Sequence, residues 1–202
     1  MLATATALAV AGVVPPTSAA LETPRAGTST TMAAGHGGHG RENHGITIPA
    51  VEWVKTTDSP SGITAELPGS STVRKSAVPV DGKIVDVRLY GVEVADGFVG
   101  FVVFDLPGTQ QDLDKMLQGS LEAYEQVTGE TLTSSRIRKS TVDGHPALDA
   151  RLSTEGGVRL VGATRFIADD AHLVQAVTLV PEANEKAMNQ MHQRLIAGIR
   201  MP

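Results

Sequence analysis

The sequence predicts an α+β fold in which an antiparallel β-sheet is flanked by helices. Three observations carry that prediction. The stretch Lys83–Asp105, KIVDVRLYGVEVADGFVGFVVFD, reads as two long strands joined by a tight Asp96-Gly97 turn. Its return strand, Phe98–Leu106, is almost wholly apolar, and a strand without a polar face is covered on both sides. The segments Gln111–Thr128 and Glu182–Ala197 place apolar residues at helical spacing and supply a helical cover.

The chain has 202 residues, room for a leader, a tail and one domain of about 150 residues. Leu2–Val14, LATATALAVAGVV, is an uncharged apolar run of signal-peptide length. It is shorter than the about 20 residues that span a bilayer. Pro15 and Pro16 end it, and Thr17–Ala20 fits small-x-small cleavage near Ala19 or Ala20. No Lys or Arg precedes the run, so a start upstream of Met1 is expected. Residues 1–20 are thus expected to be a signal peptide, with a secreted, soluble mature form and no transmembrane anchor.

Residues 21–45 read as a flexible tail, with too few large apolar side chains to offset the entropy of ordering them. Gly35–Gly45, GHGGHGRENHG, concentrates three of the six histidines: His36, His39 and His44. Imidazoles on a glycine-rich chain are ligands for copper or zinc, with Met32 available to Cu(I). The H-x2-H-x4-H spacing matches no closed structural zinc site, and a low-complexity linker that happens to be His-rich explains it more simply.

Residues 46–202 read as one α/β domain. Ile46–Lys55 turns apolar, with Trp53 packing the lead-in against the domain; Thr56–Gly62 is a loop. Ile63–Leu67 is a short strand ended by Pro68-Gly69, and Thr72–Val78, carrying Arg74 and Lys75, suits a sheet edge. Asp81-Gly82 turns the chain into the long hairpin. There Val85, Val87 and Leu89 share one face, and Asp86, Arg88 and Tyr90 the other. At Gly91 the phase slips, so that Val92 and Val94 become the apolar pair, which predicts a β-bulge.

Leu113, Met116, Leu117, Leu121 and Tyr124 define the apolar face of the first helix; Thr109 and Asp112 start it with a capping box and Gly129 stops it. Leu132–Val142 is a polar, basic strand carrying Arg136, Arg138 and Lys139. That trio is a candidate surface for an acidic partner, or else the charge that protects an exposed strand. Asp143-Gly144 turns into His145–Leu152; then Val158–Ala168 and His172–Leu179 pair across Asp169-Asp170. Pro181 opens the closing helix, with Met188, Met191 and Leu195 inward and His192 facing out.

Several functions are disfavoured. A net charge of −5 lacks the basic footprint of a nucleic-acid binder. With no cysteine, thiolate zinc sites, iron–sulfur clusters, Cys nucleophiles and lipoprotein acylation are excluded. No phosphate loop, dinucleotide fingerprint, nucleophile elbow or H-E-x-x-H is present, and Ser120 of QGSLE lies inside a helix. His145, His172 and His192 each read as turn, rim or surface residues. No catalytic or cofactor-binding residue is assigned.

The run from Gly62 to the C-terminus resembles the PsbP-like α/β sandwich family. The features concerned are GITAELPG followed by a basic strand, the Tyr90–Val92 strand, the Asp143–Ala147 strand start (DGHPA) and the closing helix. Relatives in kind are secreted actinobacterial proteins and mycobacterial LpqN-type lipoproteins, from which this chain departs by lacking an acylated Cys. The resemblance implies an α/β/α sandwich and binding rather than catalysis: a module that takes a protein or small ligand at the cell envelope or outside the cell. It carries over no functional residue. An extracytoplasmic metal-binding protein and an enzyme without a recognisable motif are the alternatives.

Overall fold

The computed structural model describes residues 52–80, 82–94 and 97–202. The leader, the His-rich tail, the start of the lead-in and turn positions 81, 95 and 96 lie outside the described residues. The elements follow as β1 (Val54–Thr57), β2 (Thr64–Leu67), β3 (Thr72–Val80), β4 (Lys83–Val94), β5 (Gly97–Phe104), α1 (Gln110–Thr128), β6 (Thr131–Val142), β7 (His145–Glu155), β8 (Leu160–Ala168), β9 (Leu173–Pro181), a 3₁₀ turn at Glu182–Asn184 and α2 (Glu185–Gly198). Neither helix is long and apolar enough to cross a membrane.

β1 and β2 form a two-stranded ribbon, and the other seven strands form one antiparallel sheet in the order β3-β4-β5-β9-β8-β7-β6. Each half of the chain is a meander, and the halves join where β9 pairs with β5, from Phe98↔Leu179 to Phe104↔Leu173. α1 makes the long crossing. Its 19 residues give about 28 Å of helix, enough to carry the chain over four ladders at about 4.8 Å each. Asp112 fixes its start by accepting the backbone N–H (2.9 Å) and hydroxyl (2.7 Å) of Thr109. Gly129 ends it at φ 73°, donating to Glu125 O.

The sheet is covered on both faces, which explains the apolar β5. One face packs Val85, Val87, Leu89, Val102, Phe104, Phe166 and Leu179 against Leu113, Met116, Leu117 and Tyr124 of α1. The other packs Tyr90, Val99, Phe101, Val103 and Val174 against Ile63, Ala65 and Leu67 of the ribbon and Leu195 of α2. The second cover is therefore part helix and part β-ribbon, not helix alone. Each fully buried large side chain in these layers contributes about 1.5–3 kcal/mol of transfer free energy.

Two details of the long hairpin differ from expectation. β4 and β5 pair without interruption from Val87↔Phe104 to Val94↔Gly97, so there is no bulge at Gly91. The apolar phase changes because Tyr90, Val92 and Val94 serve the ribbon face while Val85, Val87 and Leu89 serve the α1 face. Gly91 and its partner Gly100 are instead both overlain by the Phe98 ring, where a Cβ on either would lie. Gly97 likewise belongs to β5 rather than to the turn, and its missing Cβ admits Leu179 O and Val180 of β9. A bulge does occur in β6, where Arg136 and Ile137 lie opposite the single residue Ala150 and Arg136 has φ 51°.

Candidate functional site

The period-two alternation of β7 sends Leu148, Ala150 and Leu152 to the α1 core and Asp149 and Arg151 to the opposite face. On β8, Arg165 is the cross-strand partner of Ala176 and pairs Asp149 across the other ladder. On edge strand β6, Arg138 stands opposite Asp149. α2 lies chiefly over β9 and β8. Its residues Asn189, His192, Gln193 and Ile196, spaced three and four apart, form one wall facing the strands. The result is a cleft of about 360 Å³ between α2 and strands β6–β8, lined by Arg136, Arg138, Arg151 and Arg165 around one carboxylate, Asp149.

The four guanidiniums are not equivalent. Arg165 grips Asp149 bidentately, Nε–Oδ1 2.7 Å and Nη2–Oδ2 3.1 Å, and both are largely buried. Arg138 reaches the same carboxylate only at 3.5 Å from an exposed side chain. Arg151 touches the Met188 sulfur at 4.0 Å and pairs with no described carboxylate. Arg136, at the bulge, has no ion pair among the described residues. A single carboxylate thus serves two of the four, and the positive charge of the cleft is uncompensated from within.

His192 lies inside, not on the surface. It is 4 % exposed, and its Nδ1 lies 3.3 Å from Thr178 Oγ1 of β9. Burial first, then the charge of Arg165, bring its pKa down to about 4; an opposing pull from Asp149 comes next, and the Arg151 charge adds the least. It is a neutral imidazole. The expectation that it faces out fails because α2 is flanked by β8 as well as β9, which widens the helix face that is covered. Asp149, Arg151 and Arg165 carry no motif in the sequence that marks them as a site. The available signal was charged residues at alternate positions in strands that otherwise read as apolar.

The basic trio of β6 is split. Arg136 and Arg138 line the cleft, whereas Lys139 points to the other side and pairs Asp114 of α1 at 2.6 Å. His145 opens β7 opposite Val142. His172 lies at the β8–β9 turn, its Nε2 3.9 Å from Asp105 and its Nδ1 3.7 Å from Asp169. His36, His39 and His44 lie outside the described residues, and among the described residues no group of three His, Asp or Glu is arranged to hold a metal.

A second charged cluster sits on the ribbon side. Arg88 is 5 % exposed. It donates through Nε (2.6 Å) and Nη2 (3.0 Å) to Asp58, and through Nη1 (2.7 Å) and Nη2 (2.6 Å) to Asp105. Tyr90 OH and the Ser61 hydroxyl also donate to Asp58. Burial alone would raise the Asp58 pKa; bonds from Arg88, Ser61 and Tyr90, with the Arg88 charge, outweigh it and hold it at about 2. Burial and the Asp58 bond push Tyr90 up to about 12. Every acceptor position of Asp58 is used within the protein, so Asp58 has nothing left to offer a ligand and serves as a clasp between the β1–β2 connection and β4.

No protein-family model matches the sequence, and comparison with curated proteins gives no match. Among solved structures the fold is similar to the solution structure of cyanobacterial PsbP (CyanoP) from Synechocystis sp. PCC 6803, with a TM-score of 0.55. The match covers 77 % of this chain and 96 % of that one at 10 % identity. At that identity the likeness establishes a PsbP-like α+β fold and carries no residue role across.

Proposed function

We propose that this chain is a non-catalytic binding module that works outside the cytoplasm, at the cell envelope or in the extracellular space, and that the arginine-lined cleft is its binding site. The observation that carries the reading is the content of the cleft: four guanidiniums around one carboxylate that two of them already engage. Arginine keeps its proton at any physiological pH, so it attracts and orients anions without shuttling protons. His192, the group there that ordinarily titrates near neutrality, is kept uncharged by its burial and by the Arg165 charge, and its Nδ1 lies against the Thr178 hydroxyl. The hydroxyl of Thr164 is engaged by Ala176 O. Thr178 and His192 do bring a hydroxyl and an imidazole to 3.3 Å, but Thr178 is fully buried and does not line the cleft, so the pair offers no exposed nucleophile to a bound molecule. Ser120, the helical serine, is buried and bonded to Met116 O.

The apolar run Leu2–Val14 and the small residues before Ala20 support export. The resemblance to secreted actinobacterial proteins and the PsbP-like fold supports a binding rather than a catalytic role. Copper or zinc capture by His36, His39 and His44 is a separate proposal, supported by the composition of the tail.

The test is mass spectrometry of the protein recovered from culture medium, combined with a panel of ester, peptide and glycoside probes. The expected result is a mature N-terminus following Ala19 or Ala20 and no turnover. Turnover that co-purifies with the protein and disappears in Arg165→Met overturns the non-catalytic reading. Retention of the intact leader inside the cell overturns export.

A further inference from the structure

The geometry points to a phosphomonoester as the ligand of the cleft, its phosphoryl group held by Arg136, Arg138 and Arg151 and its organic body lying along α2. The inference rests on the binding-module reading and names the ligand class.

Arg165 is committed to Asp149 by two short bonds and serves as part of the floor. Arg138 keeps only a 3.5 Å contact, and Arg136 and Arg151 face no described carboxylate. Cations gathered in a half-enclosed site raise each other's free energy, and an entering anion relieves that repulsion. A dianion relieves it more than a monoanion does.

The three available guanidiniums come from two adjacent strands, Arg136 and Arg138 from β6 and Arg151 from β7. The bulge between Ser135 and Arg138 breaks the alternation, so Arg136 and Arg138 do not lie in a regular row. A carboxylate offers two oxygens in one plane and suits one fork, or two coplanar ones. A phosphoryl group offers three oxygens in different directions and accepts forks from several sides at once.

A cleft of about 360 Å³ falls within the range of small-molecule sites and exceeds what a bare phosphate fills. The α2 wall presents the amides of Asn189 and Gln193 one turn apart, beside Ile196 and Ala163. That mixture suits hydroxyl groups on a short carbon skeleton. The phosphomonoester group itself is shared by a soluble polyol phosphate and by the headgroup of a phosphatidate lipid, whose glycerol hydroxyls are esterified, and the test separates the two.

Titration calorimetry on the full chain uses glycerol 3-phosphate, with glycerol and succinate as controls. Sedimentation with phosphatidate/phosphatidylcholine vesicles, against phosphatidylcholine alone, forms the second arm. Binding of glycerol 3-phosphate that falls roughly tenfold in Arg151→Met and in Arg136→Ala supports the site and a soluble source. Vesicle binding alone, lost in the same variants, supports the site and a lipid source. Arg159→Ala, exposed on the β7–β8 connection and outside the cleft, is expected to change affinity by less than about twofold. If Arg151→Met fails to fold, Arg136→Ala carries the test, because that side chain is exposed and has no described ion pair. Succinate binding as tightly as glycerol 3-phosphate, or binding unmoved by both arginine variants, overturns the inference. So does the absence of binding in both arms at about 1 mM probe with the fold intact. In that last case the non-catalytic reading still stands or falls on the probe panel, so the two failures are distinguishable.

Discussion

Arg88 and Asp58 are joined across thirty positions of chain by two hydrogen bonds, 2.6 and 3.0 Å long, in a place where Asp58 has no solvent exposure. The pair fastens the β1–β2 connection to the middle of β4, and Asp105 closes the far side of the same guanidinium. Two partners removed together leave an apolar gap, whereas one removed alone strands a buried charge. Arg88→Met is therefore expected to cost about 3–5 kcal/mol in urea unfolding. Asp58→Ala combined with Arg88→Met is expected to cost less than the sum of the two single changes. Strict additivity would mean that the clasp does not act as a unit.

The pH dependence of stability is expected to show two separate acid windows. The folded pKa of His192, about 4, lies below the ordinary 6.5, so the unfolded chain binds more protons between those values. Stability from this group is complete above 6.5 and lost as pH falls towards 4, by an amount on the order of 3 kcal/mol. Asp58, held at about 2 against an ordinary 3.8, gives stability that is complete above 3.8 and lost as pH falls towards 2. His192→Asn should abolish the upper window and keep the lower one in melting curves taken across pH. An unchanged upper window would show that His192 does not titrate as described.

Gly91 and Gly100 share one overlying ring. Gly91→Ala is expected to cost about 1–3 kcal/mol, since its Cβ meets the buried Phe98 side chain. Gly91→Ala with Phe98→Leu should recover part of that loss by denaturant unfolding. Gly100→Ala should recover less in the same pairing, because its Cβ also meets the backbone oxygen of Tyr90.

The His-rich tail makes an independent prediction. Copper or zinc titrated into the full chain is expected to bind, and to lose that binding when His36, His39 and His44 are replaced by Ala together. Equal affinity in the triple variant would overturn the assignment.

Much of the fold was written locally. The capping box of Thr109 and Asp112, the Gly129 stop and the Asp143-Gly144 turn, with φ of 51° and 86°, each depend on residues a few positions apart. So do the apolar β5 and the inward face of α1. These are what the sequence by itself determined: the elements, their punctuation and the need to cover the sheet twice. What lies across from a residue is not local. The change of phase at Gly91 has two local explanations, a bulge or a second buried face, and only the ribbon and α2 packing on Tyr90 and Val92 separate them. His192 looks outward until α2 is laid over β8 and β9. The cleft itself needs Arg136, Arg151 and Arg165 from three strands beside one helix, a meeting created by the β9–β5 junction and the strand order it imposes. Alternation fixes only which side of its strand a residue takes. The tertiary structure decided what each side faces, because burial and charge are set by neighbours distant in the chain.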